Sequence, residues 1–338
     1  MKRQIIIAGV WGAGNISIVE QMGQDKEITF LKDDFRYALQ LRKVWRVINR
    51  RLGGRGRGIL RGILKTRFFD AKYALSHCDF DSHDENDVVI FNSALLHYYS
   101  AAYFKRLKKR HPSIRYILYI IDPMPDGLWR EVQEVLPAFD HVMTMHPFNC
   151  RKYGFQYLPY AYAKPTQKAQ IPDIPETELF YCGVLDDHRL ILMRKMVKQC
   201  EKRRIAFDFW FKPYQDNPMH NAHVHYGLIP YEENVQRLRK AKCILEVMHK
   251  GYVGITQRYL EAVIYNKRLL SNNREITELP YYNPRFMQYF EKIEDIDWEW
   301  LHSEEEVDYH YQGDFSVEAW KKNLVELLEE LNNSERGF

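Results

Sequence analysis

Residues 251–273 read GYVGITQRYLEAVIYNKRLLSNN. Gly251 and Gly254 bracket a bulky pair, Thr256 stands where a helix N-cap belongs, and Tyr259, Leu260, Val263 and Ile264 then recur at helical spacing. Asn266 and Lys267 end the helix, and RLLSNN reads as the next strand. Upstream, CILEVM (243–248) is an apolar run that enters the glycines. The whole is strand, glycine turn, helix, strand. Such a turn aims free backbone N–H groups and the positive end of a helix at one point, where an anion is favoured. A Cβ there would hold a phosphate off the backbone. Arg258, in the first turn, could add a charge-assisted contact. Glu261 shares its face and could accept hydrogen bonds from sugar hydroxyls. On spacing alone an ordinary tight connection, with Glu261 simply paired to Arg258, remains open.

The same alternation extends outward. QIIIAGV, EITFL, DVVIFN, IRYILYII, HVMTM and QYLPYAY alternate with helix-compatible segments such as SAAYFKRLKKRH and DGLWREVQEVLPAF. Runs that are apolar on both faces and separated by helices argue for parallel, doubly wound sheet. Residues 163–178, AKPTQKAQIPDIPETE, hold three prolines and few large apolar side chains, the composition of a linker. After it come LFYCGV, a basic helix, AFDFWF, HVHYGLI and EENVQRLRKAK. The expected fold is therefore α/β. A first Rossmann-like domain spans 1–165, a linker 166–178 and a second Rossmann-like domain 179–312. A closing amphipathic helix, 313–338, carries Val317, Trp320, Leu324, Leu327, Leu328 and Leu331 on one stripe.

The 338 residues are 46% apolar and 14% aromatic, which supports real cores, and the formal charge of +4 does not by itself imply nucleic acid. No apolar run is long enough to span a bilayer. The opening MKRQIIIAGVWGAGN has a short apolar run interrupted by Gly9, a first strand rather than a signal peptide. Cys78, Cys150, Cys182, Cys200 and Cys243 are widely spaced and read as free thiols in a reducing compartment.

The string ILEVMHKGYVGITQRYLEAVIYNKRLLSNN (244–273) resembles the nucleotide-sugar-binding half of bacterial GT-B glycosyltransferases of capsule, O-antigen and exopolysaccharide synthesis. The resemblance lies in Leu245-Glu246 at a strand end, the Gly254-x-Thr256-x-Arg258 core, Glu261-Ala262, and the closing KRLLSNN. FYCGVLDDHRL, IPYEENVQRLRKAKCILE and DHVMTMHPFNCRKYGFQYLPYAY resemble further segments in the same order. Two Rossmann-like domains facing a cleft are implied, with a nucleotide-sugar donor on the second and a glycan acceptor on the first. Carried onto matching positions, Glu261 binds the ribose, and Gly254 and Thr256 present N–H and O–H to the diphosphate. Arg189, six residues after Gly183, meets the phosphates, Lys212 is a second cation, and Tyr231 lies over the base. A strand-end role for Lys212 and a packing role for Tyr231 stay open. Glu246 approaches the donor sugar, although this chain continues VMHKGYVG where many relatives carry Gly-x-Pro.

In the first domain, Asn92, Ser93 and Asp122 follow strand-like runs, and Gly12 and Gly14 lie in the first loop. Asp122, at a strand end before a proline, is the candidate general base, or else a turn aspartate; His97 is the rival. Asp79-Phe-Asp81 and Asp295-Ile-Asp297 have a metal-site pattern in unsuitable places. His220, His223 and His225 lack a zinc spacing, so no metal cofactor is expected. Residues 42–67 hold ten Lys/Arg and no acid, interleaved with Val44, Trp45, Val47, Ile48, Ile59, Leu60, Ile63 and Leu64. A basic segment that is also apolar fits an anionic membrane surface, where a polyprenyl-diphosphate-linked acceptor would be presented; nucleic-acid contact and a basic loop are the alternatives. The resemblance implies a metal-independent transferase, cytoplasmic and peripheral at the inner membrane face. A non-catalytic nucleotide- or glycan-binding protein is the other reading.

Overall fold

The computed structural model describes residues 4–9, 18, 20–22, 27–31, 87–97, 99–121, 126–165, 174–213, 219, 221–252 and 254–336. The chain divides into two units, Met1–Tyr160 and Ala161–Phe338. Each holds one sheet, and every described strand pair is parallel.

The first unit contains β1 (Ile5–Ala8), β2 (Ile28–Leu31), β3 (Val88–Asn92), β4 (Arg115–Ile120), β5 (His141–Thr144) and β6 (Gln156–Tyr157), in the order β2-β1-β3-β4-β5-β6. IIIA and VVIFN are buried on both faces, because helices cover a parallel sheet on each side. Its described helices are α1 (Ala101–Arg110), α2 (Asp126–Val135) and α3 (Pro147–Tyr153). Ser100 caps α1 by accepting from the Tyr103 amide. Phe91 anchors the core, meeting Phe104, Tyr116 and Phe139 edge-on at 5.4–5.5 Å.

The second unit contains β7 (Thr177–Leu185), β8 (Phe207–Pro213), β9 (Val224–Tyr226), β10 (Ala241–Glu246), β11 (Arg268–Ser271) and β12 (Met287–Tyr289). Read from one edge, the order is β9-β8-β7-β10-β11-β12. This is the doubly wound Rossmann order, and the winding reverses between β7 and β10. Helices α4 (Asp187–Arg203), α5 (Tyr231–Lys240) and α6 (Gln257–Ile264) connect the strands, and α7 (Val317–Arg336) closes the chain. Along β8 the alternation is strict: Phe207, Phe209 and Phe211 join Met193 and Met196 of α4 in the core, while Asp208 and Trp210 face Arg237 of α5. The α7 stripe also packs as its spacing requires. Val317, Trp320, Leu324, Leu328 and Leu331 are buried, and Leu327, at the stripe's margin, is half-buried.

The proline-rich window is not linker throughout. Thr177 already begins β7, and Tyr162 and Ala163 are held to the second unit. The Tyr162 amide donates to the Phe315 carbonyl at 2.7 Å, and the Tyr231 hydroxyl donates to the Ala163 carbonyl at 2.9 Å. No helix among the described residues is long and apolar enough to cross a membrane. Cys150, Cys182, Cys200 and Cys243 are unpaired, and Cys78 lies outside the described residues.

Candidate functional site

In a doubly wound sheet the strand ends diverge where the winding reverses, and the crevice that opens there accepts ligands. In the second unit that place is bounded by the end of β7, the end of β10 and the starts of α4 and α6. Asp186 caps α4: its Oδ1 accepts from the Arg189 amide at 2.8 Å. Thr256 caps α6 from an extended backbone, and its Oγ1 accepts from the Tyr259 amide at 3.2 Å. Two helix starts therefore flank the reversal, each with leading amides and a positive dipole end.

Two guanidinium groups sit between them. Arg258 lies over the Tyr181 ring at 4.9 Å and donates from Nη2 to the Cys182 carbonyl. Room for it is made by Gly183, where a Cβ would collide with that guanidinium and come within 2.9 Å of the Tyr181 hydroxyl. Gly183 thus admits an arginine. Arg189 is 7% exposed; its Nη1 donates to the Val184 carbonyl at 3.0 Å, and its Nε is buried without a partner. Burial, reinforced by nearby Arg258, pushes its pKa down although Tyr181 and Asp186 pull the other way. An arginine stays charged regardless. A buried cation with an idle donor is costly unless an anion meets it.

Glu246, expected beside the donor sugar, is enclosed. Its Oε1 accepts from the Thr256 hydroxyl and its Oε2 from Ser271, the residue directly opposite on β11. Burial raises its pKa, against the two hydroxyls, Arg258 and Arg189, which lower it. Here Glu246 braces the glycine turn. Gly254 has φ +107°, a backbone open to glycine, and its carbonyl accepts from Asn273 Nδ2 at 2.7 Å. Thr256 uses its hydroxyl on Glu246, which takes that donor away from the diphosphate role expected of it.

Glu261 is 4% exposed, and its Oε1 accepts from Gln257 Nε2 at 3.1 Å and from the Tyr162 hydroxyl at 3.4 Å. Burial pushes its pKa up to about 7, despite Arg258, Gln257 and Tyr162. It does not pair with Arg258 by any direct contact among the described residues. Lys212 is exposed at the end of β8, level with Val184. Tyr231, expected over a base, is instead buried: at the start of α5 it turns inward and holds the Ala163 carbonyl.

The spacing missed Asp186 and His249. They lie 63 residues apart in sequence, and the Asp186 Oδ2 meets the His249 Nδ1 across the reversal. Burial raises the Asp186 pKa, but the Arg189 amide and His249 outweigh it and hold the carboxyl below its ordinary value. The only sequence signal was an Asp following β7 and a His following β10, at the two strand ends that bound a switch point.

Several other candidates fall elsewhere. Gly12, Gly14, Asp79, Asp81, Asp122, His220 and residues 42–67 lie outside the described residues. Asn92, the last residue of β3, and Ser93, the first after it, have local roles: the Asn92 Oδ1 accepts from the Ala94 amide and the Ser93 Oγ from the Ile121 amide. His97 closes the turn that follows β3. Asp295 and Asp297 accept from the Lys292 and Glu299 amides, which makes them turn caps. His225 faces Asp208 at 3.4 Å, and His223 packs on Phe207. No cluster that could hold a metal ion occurs among the described residues.

No protein-family model and no curated protein matches the sequence. Solved structures do resemble the fold. The glycotransferase of kitacinnamycin is similar at 9% identity, over 87% of each chain, with a TM-score of 0.47. SnogD, a glycosyltransferase from Streptomyces nogalater, is similar at 12% identity over 80% of this chain and 81% of its own, with a TM-score of 0.43. An alpha-glucosyltransferase in complex with UDP and a DNA 13-mer is similar at 12% identity over 96% of this chain and 90% of its own, with a TM-score of 0.46. At such identities and scores the likeness carries no argument about chemistry, which rests on the residues of this chain.

Proposed function

We propose that the chain is a GT-B glycosyltransferase that moves a sugar from a nucleotide-sugar donor to a glycan acceptor, with the donor's diphosphate held at the β7/β10 reversal. The observation that carries this reading is the buried Arg189 guanidinium with its idle Nε, beside Arg258 and between two helix N-termini. A diphosphate supplies what that corner lacks: compact negative charge that accepts from a fork of donors and from main-chain amides. As the glycosidic bond breaks, charge develops on the departing nucleoside diphosphate, and fixed cations there stabilise it without a metal ion. Glu261, one turn into α6, is the proposed acceptor for the ribose hydroxyls. Asp122 is the proposed base toward the acceptor hydroxyl.

The acceptor we favour is lipid-linked, in bacterial surface polysaccharide synthesis at the inner membrane face, with residues 42–67 on anionic lipid. That part rests on the sequence alone. The internal use of Glu246 and Thr256 supports a second reading, a binding protein of the same fold that transfers nothing.

The test is a thermal-shift and calorimetric panel of UDP, GDP, CMP and dTDP on the parent and on Arg189→Met. Methionine keeps an apolar reach but no charge, so the variant should be at least as stable as the parent. It should bind a nucleoside diphosphate about 10–100-fold more weakly, the value of one or two charge-assisted bonds. No binding of any nucleotide by the parent would end the proposal. Release of the monosaccharide from the matching donor separates transferase from binding protein, and Asp122→Asn should keep binding while losing turnover.

A further inference from the structure

We propose that His249 is a proton donor to the departing diphosphate, oriented by Asp186, so that the β7/β10 corner carries an acid as well as fixed cations. The proposal rests on the nucleotide-sugar reading above and adds a catalytic group to it. His249 Nδ1 meets Asp186 Oδ2, and Asp186 is ionised because its carboxyl is held low by the groups it accepts from. A carboxylate can only accept, so Nδ1 carries hydrogen and donates. The other ring nitrogen, Nε2, has no partner among the described residues, and the side chain is 38% exposed. A carboxylate that fixes one ring nitrogen and leaves the other free is the arrangement by which proteins aim an imidazole.

The location gives that nitrogen its use. Asp186 is also the cap of α4, where its Oδ1 takes the amide of Arg189. His249 is therefore tethered at the same helix start as the arginine with the idle nitrogen. Asp186 contacts the ring, and the Tyr252 ring, from the same loop, lies 5.5 Å from it between centroids; Arg189, whose amide Asp186 also holds, itself feels Arg258 and Glu246. Glu246 is enclosed by hydroxyls, which leaves Asp186 as the acid in contact with the ring.

In the step, the bond between the sugar's anomeric carbon and the β-phosphate oxygen breaks, and its electron pair stays on that oxygen. The reacting form of His249 is the imidazolium, with hydrogen on both ring nitrogens; its Nε2 proton passes to the diphosphate and leaves a neutral ring that keeps its Nδ1 hydrogen toward Asp186. The anomeric carbon is taken by the acceptor's hydroxyl oxygen, or by water in hydrolysis, and that hydroxyl's proton goes to the base. Neutral His249 then regains a proton from solvent.

Three variants test this on the full chain, using the nucleotide that the panel identifies and its glucose, galactose and N-acetylhexosamine conjugates. His249→Asn keeps an amide donor toward Asp186 and removes the Nε2 position. It should lower kcat for donor hydrolysis or transfer about 100-fold, the lower end for general acid catalysis. Its affinity for the nucleoside diphosphate should change less than tenfold. The alkaline limb of the parent's kcat–pH profile, where activity falls as the acid loses its proton, should disappear. His249→Gln restores a donor near the Nε2 position without acidity, so it should recover affinity but not kcat. Asp186→Asn should depress kcat less than His249→Asn and shift the alkaline limb, as a positioning residue would. A His249→Asn enzyme with parental kcat and an intact limb overturns the proposal while leaving the diphosphate site standing. A fall confined to affinity makes His249 a mere binding cation and overturns it too. A parent that binds no nucleotide overturns both.

Discussion

Replacing Glu261 by glutamine isolates the cost of ionising one enclosed carboxyl. In the fold this group titrates near 7 instead of the ordinary 4.5, because burial outweighs Arg258, Gln257 and Tyr162. Between those values the folded chain keeps a proton that the unfolded chain has released. Stability from this group is therefore complete below about 4.5 and is lost as pH rises to about 7. The full difference is roughly 3 kcal/mol, an upper figure for a site 4% exposed. Glutamine still accepts from Tyr162 and Gln257 but never ionises. Urea unfolding at pH 5, 6, 7 and 8 should then show the variant gaining on the parent as pH rises, by 2–3 kcal/mol at the alkaline end. His146 works the other way: burial lowers it to about 4, so the fold loses stability as pH falls from 6.5. It is present in both proteins and cancels in the difference. A difference between variant and parent that does not change with pH would refute the account of Glu261. If ribose hydroxyls replace Tyr162 as donors to the carboxylate, nucleotide binding near pH 7 should also release a proton. Calorimetry in buffers of unlike ionisation enthalpy would read that release, and Glu261→Gln should abolish it.

Gly183→Ala puts a methyl group against the Arg258 guanidinium and within 2.9 Å of the Tyr181 hydroxyl; it should cost about 1–3 kcal/mol and weaken diphosphate binding together. An unchanged melting temperature with parental affinity would contradict the packing described for Arg258. Tyr231→Phe removes the donor to the Ala163 carbonyl, and about 1–2 kcal/mol of stability should go with it while nucleotide affinity holds. Lost affinity in a variant of parental stability would return Tyr231 to the base.

Some of this was written in local pattern. The strand–turn–helix–strand reading of 243–273 needed only glycines, an N-cap threonine and apolar residues at period 3.6. β10, α6 and β11 follow it closely, because neighbours in sequence dictate those features. The apolar runs buried on both faces announced parallel sheet for the same reason. Glu261 and Arg258 were visible as one helical face. Their surroundings were not: the Glu261–Arg258 pairing that spacing left open as an alternative is not formed, and the two side chains meet instead Tyr162, 99 residues away, and the Cys182 carbonyl, 76 residues away.

The strand order of the second sheet makes that difference. Sequence determined which segments are strands and helices, and where a helix would present its N-terminus, since each depends on a few adjacent side chains. Only the tertiary structure decided that β7 and β10 lie side by side, with 55 residues of chain between their ends. That adjacency encloses Glu246, opens Gly183 to an arginine, buries the Arg189 Nε without a partner and sets Asp186 against His249. A side chain's burial and partners come from whichever strands become neighbours, and no spacing along the chain records that.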